Sequence, residues 1–103
     1  MISIAFKMKL KPGARQEYKR RHDALWPEMN TLLKANGIHE YHIFHDAETD
    51  ILFAVQKVDE GERPVLKTEG ILQKWWDHMA DLMEVNPDNS PLVVNLEQVF
   101  QLN

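Results

Sequence analysis

Apolar and polar residues alternate without a slip from residue 2 to residue 10. Ile2, Ile4, Phe6, Met8 and Leu10 fall on one side, and Ser3, Ala5, Lys7 and Lys9 on the other. That period of two predicts a strand. Lys11-Pro12-Gly13 ends it, and from about Pro12 or Gly13 to Asn36 the period becomes helical, with Gly37 as the stop residue. Pro27 interrupts this stretch, because proline lacks an N–H and disfavours helical geometry at the residue before it. Two helical pieces meeting near residues 23 to 27 are therefore expected, with Asp23 as a candidate cap of the second.

Residues 38 to 46 and 51 to 58 are rich in Ile, Val, Phe and Tyr and are joined by the polar Ala47-Glu48-Thr49-Asp50, which reads as a β-hairpin. Asp59 to Lys67 contains Gly61 and Pro64 and predicts a turn or short helix. From about Thr68 to Glu84, Leu72, Trp75, Trp76, Met79, Leu82 and Met83 recur at helical spacing. Asn86-Pro-Asp-Asn-Ser-Pro91 is dense in turn formers, and alternation resumes from Leu96 to Leu102 as a last strand. The order β-α-β-β-α-β is the ferredoxin-like split arrangement, an α+β fold with helices on one side of an antiparallel sheet.

Such a sheet needs one apolar face, yet several strands carry bulky groups on both. Phe44 stands opposite Tyr41 and Ile43, Ile51, Phe53 and Val55 opposite Leu52 and Ala54, and Phe100 opposite Val99. Packing of the second face against an identical subunit accounts for this, since a twofold dimer buries the same patch on both chains. At 103 residues the chain is one domain, 1–103. A formal charge of -4, with one short basic run at Lys19-Arg20-Arg21, argues against nucleic acid as a partner. There is no cysteine, no apolar stretch near the ~20 residues that cross a bilayer and no leader-like N-terminus, so a soluble cytoplasmic protein with no membrane partner is expected.

Along the first helical stretch Tyr18, His22, Leu25, Met29, Leu32 and Leu33 form one inward stripe whose first half is polar and aromatic. A buried tyrosine and histidine need hydrogen-bond partners, and two sources are open: the core itself, or a pocket between helix and sheet. Trp75 and Trp76 are about 100° apart on their helix and can share a broad face. They read either as core or as platforms for the C–H-rich sides of a sugar. The five histidines include His39, His42 and His45, but alternation sends His42 to the opposite face from the other two, so no metal site is expected. No phosphate loop or nucleophile turn is present.

Tyr18-Lys-Arg-Arg-His22-Asp-Ala-Leu-Trp26-Pro27-Glu28, then His39-Glu-Tyr41, Trp75-Trp76 and the block Asn86 to Pro91 together closely resemble the L-rhamnose mutarotase family over almost the whole chain. The resemblance implies a dimeric α/β barrel of ferredoxin-like subunits, no cofactor, and interconversion of the anomers of L-rhamnose. It places the proton-donating histidine at His22 and the sugar-contacting groups at Tyr18, Tyr41, Trp75 and Trp76. Two other functions suit a barrel of this kind, because fold alone does not fix function. They are a cofactor-free oxygenase or haem-degrading relative, and a non-catalytic binder of a small ligand.

Overall fold

The computed structural model describes residues 1–61 and 70–103. Its element order is β1 (Ile2–Lys9), α1 (Arg15–Asp23), α2 (Pro27–Ala35), β2 (Ile38–His45), β3 (Ile51–Val58), α3 (Ile71–Met79) with a 3₁₀ turn at Ala80–Leu82, and β4 (Val94–Leu96). All strand pairs are antiparallel and the order across the sheet is β2-β3-β1-β4. This is the ferredoxin-like topology that the alternating periods predict. No helix among the described residues is long and apolar enough to cross a membrane.

Register decides which residues meet the helices. Met8 pairs with Leu52 and Phe6 with Ala54, while Tyr41 pairs with Gln56, Ile43 with Ala54 and His45 with Leu52. These side chains share the helix-covered face, where Leu10, Leu52 and Val58 are the largest fully buried groups. The opposite face is uncovered and exposes Phe44, Phe53, Val55, Val94 and Leu96.

Pro27 does what its ring dictates. Trp26 before it is extended, at φ -62° and ψ 136°, and Pro27 opens α2 at a position where no N–H is needed. Asp23 therefore does not cap α2; it is the last residue of α1 and accepts from Lys19 Nζ at 2.7 Å. Gly37 follows α2 with φ +78°, the left-handed stop expected of it.

Three expected boundaries are corrected. The first helix begins at Arg15, because Gly13 is left-handed at φ +79° and keeps residues 11 to 14 in a turn. The third helix ends earlier than Glu84. Met83 is extended and bridges Leu10, while Glu84 N donates to Lys9 O, so the chain leaves the helix to lie against the end of β1. Thr68 and Glu69, and residues 62–67 of the expected turn, lie outside the described residues. The last strand is shorter and earlier than Leu96 to Leu102. Val94, Asn95 and Leu96 pair with Lys7, Phe6 and Ala5, and residues 97–103 form no strand. Alternation marks a segment that needs a surface on each side, and one subunit offers none to Val99, Phe100 and Leu102, which are 94%, 76% and 86% exposed.

Candidate active site

Helix α1 supplies Tyr18 and His22 one turn apart, and Arg21 fixes that helix in place. Its guanidinium donates to Glu17 on the same helix, to the Asp81 carboxylate and to the His78 carbonyl at the end of α3. The two helices are tied together beside the residues that matter. Glu17 is held at a pKa of about 2 by the Arg20 and Arg21 hydrogen bonds, so this clamp stays charged across the neutral range.

Between the helices and the sheet lies a cavity of about 790 Å³, within the range of small-molecule sites. Its wall includes Tyr18 and His22 from α1, Tyr41 from β2, and Trp75 and Trp76 from α3. All five residues singled out in the sequence thus come together at one cavity. The His22 ring lies 4.3 Å from that of Tyr18 at 30°, and meets Trp75 edge to face at 5.4 Å and 85°. Trp26 buttresses Trp75 from behind at 5.0 Å and 83°.

The neighbouring tryptophans divide their surroundings. Trp75 is buried and belongs to the core cluster, whereas Trp76 is half-buried and packs against that cluster from its edge. Four methionines, Met8, Met29, Met79 and Met83, are buried and line the cavity. Unbranched thioethers conform to an irregular ligand better than branched side chains do.

The hydrogen bonds of His22 assign its protons. Nδ1 lies 3.1 Å from the Tyr18 carbonyl oxygen. A carbonyl only accepts, so Nδ1 carries the proton, and in the neutral ring Nε2 bears the free lone pair. Burial lowers the pKa of His22, opposed in part by the Tyr18 carbonyl and Asp23. Burial also raises Tyr18, as does the nearby Tyr41. Tyr41 is raised by burial too, moderated by Gln56 across the strand pair. Near neutral pH the cavity therefore holds an uncharged imidazole and two intact phenols.

The other histidines are dispersed. His45 lies on the cavity side of β2 and hydrogen-bonds Asp50 Oδ1 at 3.1 Å through Nε2; its Nδ1 is buried without a partner. His42 faces the uncovered side beside Phe44. His39 sits at the bulge between Ile38 and Glu40, exposed and paired with Asp59. Among the described residues no three His, Cys, Asp or Glu side chains are grouped to hold a metal ion.

Asn89 also lines the cavity, as do the buried methionines. Asn89 belongs to a block whose residue types mark only a turn. The block also carries part of the family resemblance, but that resemblance places no site residue there, and Asn89 reaches the cavity only through the fold.

The sequence model of the L-rhamnose mutarotase family matches residues 3–102. The L-rhamnose mutarotase of Formosa agariphila is 56% identical over 103 residues, covering 99% of each chain, and that of Bacteroides thetaiotaomicron is 55% identical, covering 96% of each. The crystal structure of the Formosa agariphila L-rhamnose mutarotase superposes with a TM-score of 0.91 at 54% identity over 100% of both chains. Rv0793 from Mycobacterium tuberculosis shares the fold at a TM-score of 0.56 and 12% identity, covering 98% of this chain and 97% of its own. A family match across nearly the whole length and full-length identity above one half agree: this chain belongs to the L-rhamnose mutarotase family.

Proposed function

We propose that the protein, an isomerase of this family, interconverts the α and β anomers of L-rhamnose with His22 as its proton-transfer group. The observation that carries the reading is the neutral His22 ring, held by the Tyr18 carbonyl through Nδ1 in a cavity walled by Tyr41, Trp75 and Trp76.

Mutarotation requires the hemiacetal to open, the aldehyde to rotate and the ring to close on its other face. Nε2 takes the proton of the C1 hydroxyl, the electron pair of that O–H bond becomes the second C1–O1 bond of the carbonyl, and the C1–O5 bond breaks with its pair leaving on O5. The imidazolium then returns the proton to O5. Both oxygens are bonded to C1, so one nitrogen reaches either, acting as base in one half of the cycle and as donor in the other. Rotation about C1–C2 and the reverse sequence give the second anomer with no net change in protonation. No metal or organic cofactor takes part. Tyr18 and Tyr41 hold sugar hydroxyls as intact phenols, and the tryptophans cover the C–H-rich faces.

NMR exchange between the two anomers of L-rhamnose tests this, with acceleration above buffer expected at micromolar protein. A rate equal to buffer would sink the proposal. The same measurement carries a pH prediction. The reaction starts from unprotonated Nε2, and burial sets the His22 pKa below 6.5. The rate should therefore be flat through neutral pH and fall only as the pH drops below the ordinary imidazole range. A rate that rises as His22 becomes protonated would assign the starting role to the imidazolium.

We also propose a homodimer with the cytoplasm as its setting. A compact monomer of 12.1 kDa exposes about 6,000 Å², against 7415 Å² for this chain. The surplus exceeds the ~800 Å² that each partner buries in a standard interface. The uncovered face and residues 97–103 expose apolar groups, among them Phe44, Phe53, Val99 and Phe100, so a second copy packed sheet to sheet is the occupant that suits them. Sedimentation at micromolar concentration should give twice the chain mass; a stable monomer there would remove the barrel.

A further inference from the structure

Besides the buried His45 Nδ1, which has no partner, the cavity wall carries few free hydrogen-bond acceptors. A free sugar brings one O–H donor for every hydroxyl, and each needs an acceptor once water is excluded. Indole N–H groups, Arg15 and Lys19 only donate. The His22 Nε2 lone pair is occupied by the chemistry, and the Asp23 carboxylate is engaged by Lys19 at 2.7 Å. The phenols of Tyr18 and Tyr41 donate as well as accept.

Asn89, on the cavity wall, carries a further acceptor in its amide oxygen. It adopts a left-handed backbone at φ +69°, in a turn closed by Asn86 N donating to Ser90 O and Asn89 N donating to Asn86 O. The turn is pinned to α3, because Gln73 Nε2 donates to the Asp88 carbonyl at 2.8 Å and to Asp77 Oδ1 at 2.9 Å. Asn89 Nδ2 donates to the same Asp77 oxygen at 3.1 Å. A carboxylate only accepts, so the amide of Asn89 has one permitted orientation: nitrogen toward Asp77, Oδ1 away from it. Asp77 is next to Trp76 in the chain, and Asn89 and Trp76 line the same cavity.

We propose that Asn89 is a further substrate-binding residue, accepting a hydrogen bond from a hydroxyl of the sugar through Oδ1, and that Asp77 is the positioning residue that sets it. This rests on the reading of the cavity as the sugar site. The two amide donors that hold Asp77 also keep its carboxyl below the usual range, Asn89 contributing most, so the carboxylate that sets the amide is retained near neutral pH.

The test is anomer exchange of L-rhamnose measured across sugar concentrations. Asn89→Ala and Asn89→Asp should each raise KM about three- to tenfold, the worth of one neutral hydrogen bond, with kcat within about twofold. Asn89→Asp sets one carboxylate against another. Adding Asp77→Asn should restore KM, because the new amide then donates across the same gap and leaves an acceptor oxygen for the sugar. A loop with a merely structural role would lower the melting temperature of these variants and show no KM rescue. Wild-type KM in Asn89→Ala, a loss confined to kcat, or no rescue in the double variant would each overturn the assignment. Failure of the wild type to accelerate exchange would instead overturn the proposed function.

Discussion

Replacing His22 by Asn should slow anomer exchange of L-rhamnose by about 10² to 10⁴, the usual contribution of a positioned acid-base group. Asparagine is compact and polar and can keep the contact with the Tyr18 carbonyl now made by Nδ1 at 3.1 Å, but it has no lone pair able to take a proton near neutral pH. Fold and sugar binding should persist, so the loss belongs to kcat. Saturation-transfer NMR on equilibrated L-rhamnose, with wild type, His22→Asn and Tyr18→Phe at matched concentration, separates the roles. A folded His22→Asn protein exchanging anomers at the wild-type rate would move the chemistry to Asp23 or to a water in the cavity.

The largest effect on stability is expected at Trp75. It is buried, contacts His22 and Trp26 edge to face, and belongs to the core cluster with Leu72 and Met79. Truncation to alanine removes a large aromatic surface and enlarges an existing cavity, a change that costs about 3 to 5 kcal/mol, a large share of the 5 to 15 kcal/mol typical of a whole domain. The half-buried Trp76 should cost less when truncated. Urea unfolding of the two alanine variants checks this, and a loss below about 1 kcal/mol for Trp75→Ala would contradict its place in the core.

The strands β1, β2 and β3 are legible because each must bury one face, and a period of two leaves no other solution. Pro27 announces the break between α1 and α2 because its constraint is covalent and local. The end of α3 is not legible in this way. Met83 has the right spacing to continue the helix, and only its bridge to Leu10, 73 positions away in the chain, takes it out. The tail fails for a related reason: alternation reports that Val99, Phe100 and Leu102 need cover, not that the same subunit provides it.

The candidate site divides along the same line. Tyr18 and His22 share a helix, so their spacing alone sets them on one side. Tyr41 and Trp75 join them only through the β2–β3 register and the docking of α3. Two adjacent tryptophans cannot be told apart from spacing, and burial separates them into a core member and a wall. Asn89 was hidden because its role depends on an amide orientation dictated by Asp77, a relation between two segments.

The chain contains three tryptophans, and all belong to this one assembly: Trp75 and Trp76 in the cavity wall, and Trp26 against Trp75, with its ring 5.3 Å from His78. Near-ultraviolet emission from the protein therefore has no background from the rest of the fold. Its intensity and wavelength report on the cavity wall and on the Trp26 ring packed behind it, read without any attached label.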